Sequence, residues 1–319
     1  MLTISDISIN IISYNREKYI VTTVKSILNQ SIGEFEINIY DNGSSDGTVE
    51  KINNLNNKRI NLFTSDLNIG FEKNFLRVIT QSKKKFTIIF HDDDLVHHNY
   101  LEFILRALNE NPNVSLICSG MFQSHFPERP FKNYNFSYIN IKRRNLIGLA
   151  YKGFPLNFSS CMYKTENIRN AFKGKEIYGK ISDRPIIFDS INDLDEVILF
   201  PGQFIHYRFH SGQSSNNLVD GPFPNQIFEL HKLYYNELYL DSNFNNKLIF
   251  LTSFYYYMSL DYKNFIKIYN SRNAYILEFV KHVNGNNHFV NLSKLLFYLK
   301  IRYIFKIQRF INRIFFQYS

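Results

Sequence analysis

The sequence predicts an α/β fold, a mostly parallel sheet flanked by helices with an α-helical C-terminal extension, and three observations carry that expectation. Short apolar runs alternate with segments of helical spacing over the first third of the chain, which is the pattern of βαβ crossovers. Polar and acidic clusters fall directly after the apolar runs, where open α/β sheets bind ligands beyond the carboxyl ends of their strands. From Pro224 onward the spacing is helical to the end.

In chain order, residues 7–12 read as a buried strand, 18–29 as a helix, 36–40 as a strand and 47–55 as a helix. Residues 60–63 form a short strand, 71–81 a helix, 86–90 a strand, 97–109 a helix and 114–118 a strand. From about 123 to 146 the periodicity dissolves into an aromatic, basic, Pro-containing stretch, expected to be loop. Order returns at 158–163, 184–191 and 196–208.

The length of 319 residues suits one large domain plus an extension, and an apolar share of 45% suits a sizeable core. The 31 Phe and 22 Tyr, with no Trp and with frequent Asn, Ile and Lys, read as the mark of an AT-rich coding sequence rather than of a function. Cys118 and Cys161 stand in no metal or redox spacing, which fits a reducing compartment and argues against a disulfide framework. No signal peptide and no apolar stretch of membrane-spanning length is expected.

The net charge of +9 is concentrated in residues 281–319, where Lys281, Lys294, Lys300, Arg302, Lys306, Arg309 and Arg313 meet no acid. Arg302, Lys306, Arg309 and Arg313 fall on one helical stripe, roughly opposite Ile304, Ile307, Ile311 and Phe315. Such a helix either lies on an anionic membrane surface or packs on the catalytic domain or a second subunit, as in a homo-oligomer. Binding to anionic liposomes at low salt decides between the two. No nucleic-acid recognition motif is present, so nucleic acid is not an expected partner.

His91-Asp92-Asp93-Asp94 follows the strand at 86–90. Adjacent carboxylates repel one another unless a cation or hydrogen-bond donors compensate. At a strand end they suit a hard divalent cation that also takes phosphate oxygens, although a solvated turn or helix cap has the same composition. Asp41-Asn42-Gly43-Ser44-Ser45-Asp46-Gly47-Thr48 has turn chemistry, with Asp46 able to cap the next helix and Asp41 placed to accept a base imide N–H. Ser13-Tyr14-Asn15-Arg16 and Asn68-Ile69-Gly70 are polar turns of the same kind.

In this order, the SYNR segment, the DNGSSDGT turn, the NIG turn and the HDDD cluster resemble the family-2 glycosyltransferases of the GT-A fold, over roughly residues 7–215. The resemblance implies a GT-A (Rossmann-like) domain at 1–222, with a nucleotide-sugar-binding half at 1–120 and an acceptor half at 121–222, and a helical extension at 223–319. It implies transfer, with inversion, from a UDP- or dTDP-sugar donor. Ser13, Tyr14, Asn15, Arg16, Asp41 and Asn68 would line the donor pocket. Asp92 would meet the ribose, and Asp93 or Asp94 would hold Mg²⁺ or Mn²⁺. Asp183, before Arg184-Pro185 at the start of a helical run, would be the general base, with Asp189, Asp193 and Asp195 as rivals nearby. The segment from Tyr207 to Ser214 matches a Y-R-x-H…S pattern of the family, so Arg208 and His210 would meet the diphosphate or the metal.

Family habit and the basic tail point to a glycan or lipid-linked glycan acceptor in surface-polysaccharide assembly, of the lipopolysaccharide or capsule kind. The implied location is cytoplasmic, peripheral on the inner face of the membrane. The alternatives are a catalytically silent nucleotide-sugar-binding or scaffold protein, and a sugar nucleotidyltransferase. The absence of Gly in SYNREKY counts against the last.

Overall fold

The computed structural model of the chain describes residues 1–125, 130–151, 153–192, 195–213 and 223–240, together with Phe250 and Ser253. Two compact units divide it. The first holds residues 1–143, 155–176 and 183–211, and the second takes in 144–154, 177–182 and the described residues from 212 onward.

The strands of the first unit are β1 (Ile7–Ser13), β2 (Ile37–Asp41), β3 (Ile60–Phe63), β4 (Phe86–His91), β5 (Leu95–Val96), β6 (Leu116–His125), β7 (Ile139–Lys142), β8 (Cys161–Lys164) and β9 (Glu196–Phe209). They share one sheet in the order β3-β2-β1-β4-β8-β6-β9-β5, with β7 paired to β9 off that path. Helices α1 (Ile20–Leu28), α2 (Thr48–Asn53) and α3 (Phe71–Gln81) cross between β1, β2, β3 and β4. These four strands are accordingly parallel neighbours, and the α/β class holds. The second half of the unit adds antiparallel pairs, β8 against β4 and β6, and β9 against β5 and β7.

Burial follows the pleat. Ile7, Ile9 and Ile11 of β1 enter one core with Ile20, Val24 and Ile27 of α1 and with Tyr100, Leu101, Ile104 and Leu108 of α4 (Tyr100–Glu110). The alternate residues Ser8 and Asn10 are buried as well, and polar. Their groups are satisfied sideways. Asn10 donates to the carbonyls of Ser8 and Ile88 at 3.1 and 3.0 Å, and its Oδ1 accepts from Asn38 at 3.3 Å. Asn38 in turn accepts from Asn61 at 3.2 Å, so three amides run as a ladder across β1, β2 and β3. On α3, Phe75 stacks on Phe172 of α6 (Thr165–Phe172) at 5.2 Å and packs tilted against Phe158 at 4.5 Å.

Register fixes the site. Ser13 pairs with Asp41 and Ile12 with His91, so three polar segments emerge side by side at the carboxyl ends of β1, β2 and β4. The long parallel pair β6/β9 is interrupted by a bulge at Gly120, where a Cβ would sit 3.2 Å from the Gly202 carbonyl oxygen. Beyond it β9 pairs with β5, Leu95 against His206, and so runs back past the aspartate turn.

The stretch expected as loop over 123–146 is ordered in part. It contains the end of β6, the whole of β7 and the start of α5 (Arg143–Tyr151). Along β7 the residues are exposed or only half-buried, so the strand has no apolar alternation to read and exists through its pairing with β9. In the second unit, α8 (Phe223–Leu233) lies where the helical extension is expected to begin, and the Leu230 carbonyl accepts a hydrogen bond from Tyr151 Oη at 3.2 Å. Phe250 stacks on Tyr151 at 6.0 Å, and Arg144 Nε donates to the Glu237 carbonyl at 2.9 Å. The basic stripe at 302–313 lies outside the described residues.

Candidate functional site

Two turns interlock at the ends of β1 and β2. Asn15 adopts a left-handed conformation, φ 50°, which Asn tolerates better than most residues. Its backbone N–H donates to Ser44 Oγ at 2.9 Å, and its Oδ1 accepts from the Ser45 N–H at 2.8 Å. Asp41 is buried, with its carboxylate taking the Ser44 N–H at 2.9 Å and the Ser44 hydroxyl at 2.5 Å. Gly47 is the N-cap of α2, and Asp46, expected as its cap, stands one residue before it and accepts from the Thr48 N–H at 3.0 Å. Asn68 joins the same cluster, accepting from Asn42 Nδ2 at 2.9 Å and from the Gly70 N–H at 2.8 Å.

Gly43 is held at φ +70° with its Cα against Leu67, where a Cβ would stand 2.4 Å from the Leu67 carbonyl carbon. Gly43→Ala should therefore cost more than about 1 kcal/mol, read by denaturant unfolding, and should loosen the Asn42–Asn68 pair. An unchanged midpoint would refute the close approach.

The aspartate turn closes the cluster. Asp92, Asp93 and Asp94 are all buried, Asp94 completely. Asp92 Oδ2 accepts from the Tyr14 N–H at 2.8 Å, and Arg16 Nε lies 3.5 Å from Asp92 and 3.3 Å from Asp93. His210 Nε2 meets Asp93 Oδ2 at 2.9 Å and its ring stacks on Tyr19 at 4.2 Å. His91 Nδ1 is 3.5 Å from Asp94 Oδ2, which also accepts from Asn157 Nδ2 at 3.3 Å. The other oxygen, Asp94 Oδ1, is buried and has no hydrogen-bond partner. Ser13 Oγ, at the end of β1, is likewise buried and unpartnered.

Burial and mutual charge set the electrostatics. Burial, joined by the charge of Asp93, pushes Asp92 up to about 7 against the pull of Arg16. Burial would raise Asp93 too, but the His210 hydrogen bond and the nearby His91 and Arg16 charges hold it below the usual carboxylate range. Burial would lower His91, yet its hydrogen bond to Asp94 and the three carboxylate charges carry it to about 9.

Such a concentration of acid fits a divalent cation. Ligand atoms of His91, Asp93 and Asp94 lie within 4.8 Å of one another, and the orphaned Asp94 Oδ1 is the kind of buried acceptor a cation satisfies. Of the expected metal residues, Asp93 and Asp94 fall in this group, and His210 meets it through Asp93.

Arg208, expected to meet the diphosphate or the metal, is engaged here by the protein itself. Its buried guanidinium donates to the carbonyls of Asp93 and Tyr19 and, at 2.6 Å each, to the hydroxyls of Thr22 and Thr23. Thr23 passes its own hydroxyl to the Asp92 carbonyl at 3.1 Å. Arg208 thus ties β9 and α1 to the aspartate turn, and its position follows from β9 pairing with β5, which no local motif encodes.

Asp183 opens α7 (Asp183–Asp189), and its carboxylate accepts from the Arg184 N–H at 2.9 Å. Burial raises its pKa above the usual aspartate value, opposed by Arg184 and by His91, whose charge it senses. Two of its rivals are engaged elsewhere. Asp189 pairs with Lys175 at 2.5 Å and Arg143 at 3.4 Å, while Asp195 accepts from Asn192 Nδ2 at 2.9 Å and from the Ser115 hydroxyl. Asp193 and Ser214 lie outside the described residues.

Sequence reasoning did not reach Asn157, Ser159, which accepts from the His91 N–H at 2.9 Å, or the Thr22–Thr23 pair. Asn157 does carry a local signal, since it caps the 3-10 turn Phe158–Ser160, but not the signal of a site residue.

With the geometry established, the comparison with known proteins is direct. The model of "Glycosyl transferase family 2" matches residues 8–169. This chain belongs to glycosyl transferase family 2. The match begins in β1 and runs through the SYNR, DNGSSDGT, NIG and HDDD segments to α6. Among curated members, a cholesterol galactosyltransferase of Borreliella burgdorferi is 25% identical over 190 residues, 57% of this chain and 49% of that protein. The abequosyltransferase RfbV of Salmonella typhimurium is 32% identical over 115 residues, 34% of either chain. The chain thus spans half or less of the length of these family-2 relatives. The crystal structure of S. aureus TarS 1-349 in complex with UDP-GlcNAc superposes with a TM-score of 0.59 at 16% identity, covering 81% of this chain and 74% of that one. It establishes that this family-2 member shares the GT-A fold.

Proposed function

We propose that the chain is an inverting glycosyltransferase that moves a sugar from a nucleotide-sugar donor, UDP- or dTDP-linked, to a hydroxyl of a glycan or lipid-linked glycan acceptor in surface-polysaccharide synthesis. The observation that carries this reading is the joining of the SYNR segment to the aspartate turn at the strand ends, through Tyr14, Arg16 and His210. Relatives named as a chondroitin synthase and an abequosyltransferase support the polysaccharide context. TarS structures with UDP-GlcNAc and with UDP support a uridine nucleotide as the first donor to try.

In this reading Asp41 and Asn68 receive the base, Asp92 the ribose, and Ser13 offers its unpartnered hydroxyl beside them. Asp93 and Asp94, with a neighbouring histidine, would hold a divalent cation, which supplies charge neutralisation to the departing nucleoside diphosphate. Arg16 and His210 hold the Asp93 carboxylate, Arg208 grips the Asp93 carbonyl, and Asn157 donates to Asp94. Asp183 takes the proton of the acceptor hydroxyl as its oxygen attacks the anomeric carbon, with inversion in a single displacement. The division into a nucleotide half at 1–120, an acceptor half at 121–222 and an extension at 223–319 belongs to the same proposal. Among the described residues no helix is long and apolar enough to cross a membrane.

Thermal unfolding with UDP, dTDP, GDP, CMP and ADP, each with and without Mn²⁺, tests the donor site. One diphosphate should stabilise the protein selectively, by about 2.7 kcal/mol at a hundred times its Kd, and the metal-dependent part should vanish in Asp94→Asn. No response to any nucleotide at millimolar concentration would sink the transferase reading in favour of a scaffold.

A further inference from the structure

The aspartate turn has two imidazoles beside it, and they are held in different ways. His210 is fixed by its stack on Tyr19 and by the contact of its Nε2 with Asp93 Oδ2. Arg16 Nε approaches that same oxygen at 3.3 Å. Asp93 Oδ2 therefore already has two donors, the arrangement in which an outer partner fixes a metal ligand, and His210 is not in the group of ligand atoms that lie within 4.8 Å of one another.

His91 is placed otherwise. Its backbone N–H is pinned to Ser159 Oγ at 2.9 Å, and its ring stands edge-on to Phe158 at 6.1 Å between centroids. Phe158 is itself wedged against Phe75 at 4.5 Å, so the imidazole is braced by packing on one side and turns Nδ1 toward Asp94, a member of the same cluster. Among the described residues its ion-pair partner is Asp94, through Oδ2, and Asn157 donates to that same oxygen. The opposite oxygen, Asp94 Oδ1, is fully buried with nothing to accept from. One ligand atom from each of His91, Asp93 and Asp94 fits within a 4.8 Å cluster.

We infer that His91 is a direct ligand of the cation, alongside Asp93 and Asp94, that His210 only positions Asp93, and that the site in consequence takes Mn²⁺ in preference to Mg²⁺. An imidazole nitrogen suits the later first-row ions, whereas Mg²⁺ favours an all-oxygen shell and keeps its waters. The inference builds on the donor-site reading above and assigns within it which histidine touches the metal.

The test reads the metal itself. Mn²⁺ bound to the full chain is examined by pulsed electron paramagnetic resonance for nitrogen modulation, and Mn²⁺ and Mg²⁺ affinities are measured by calorimetry, on wild type, His91→Asn and His210→Asn. UDP binding is measured on the same samples. Wild type and His210→Asn should show directly bound nitrogen, and His91→Asn should lose it. His91→Asn should also weaken Mn²⁺ at least about tenfold, the lower end of what loss of even an outer-shell partner costs, while Mg²⁺ changes little. Nitrogen coupling that survives in His91→Asn, or disappears in His210→Asn, overturns the assignment, as does equal affinity for the two ions. If His91→Asn fails to fold, wild type and His210→Asn decide alone. UDP binding with no metal binding overturns the inference and leaves the donor site standing, whereas failure of both removes the donor-site reading too.

Discussion

Asp183→Asn should lower kcat for sugar transfer by about 10²–10⁴, the usual contribution of a general base, while leaving stabilisation by nucleotide and Mn²⁺ intact. The amide keeps the size of the side chain and can still accept from the Arg184 N–H, so the start of α7 is preserved. The pH dependence has a defined sign. Burial raises the Asp183 pKa, and a base works only when unprotonated, so kcat/KM should fall as pH drops through a value above that of an ordinary aspartate. The same shift means that the folded protein binds a proton here more tightly than the unfolded chain. Stability from this group is therefore greatest at low pH and declines as pH rises through the raised pKa. Asp183→Asn should accordingly raise the melting temperature slightly at neutral pH. A variant that transfers sugar at near-wild-type rate, or that loses nucleotide binding along with activity, would remove Asp183 from the base role.

The second large effect is expected at Arg208. Arg208→Met keeps an unbranched stem but removes the guanidinium that lies over Tyr19, and with it every donor to Asp93, Tyr19, Thr22 and Thr23. Hydrogen bonds from a charged group contribute about 1.5–3 kcal/mol each, and acceptors left buried and unpaired add a penalty. A net loss of about 3 kcal/mol is expected in urea unfolding. Because the guanidinium grips the Asp93 carbonyl, and through Thr23 the Asp92 carbonyl, nucleotide affinity should fall with stability. If Arg208 instead served mainly to bind diphosphate, stability would be untouched and only ligand binding would suffer.

The contrast between Asp183 and Arg208 marks what can be read from sequence. The strand at Ile60–Phe63 and the helix at Phe71–Gln81 have the predicted bounds, because their apolar periodicity is local and complete. The turns after β1, β2 and β4 were legible for the same reason, since Gly, Asn and Asp fix turn geometry within a few residues. β7 and the two-residue β5 were not legible. Each exists only because β9 lies beside it, a pairing between segments more than fifty residues apart. Asn157 and Ser159 reach the aspartate turn through the β4/β8 pairing, and Arg208 through β9/β5. Residue types at the site were thus visible in single segments, whereas which residues hold the site in place depends on long-range register.

That register raises a problem of its own, which the asparagine ladder resolves. Alternation of buried faces forbids a strand from slipping by one residue, since every side chain would change sides, but a slip of two keeps all faces correct. Apolar packing of β1, β2 and β3, all short and rich in isoleucine, discriminates weakly against that error. A two-residue slip would break both side-chain links among the buried Asn10 and the half-buried Asn38 and Asn61 at once. It would also carry Asp41 about 7 Å along from Ser13, at the usual rise per strand residue. The three asparagines work as a vernier: running from the sheet's edge strand β3 inward to β1, they set the alignment on which the spacing of the donor pocket depends.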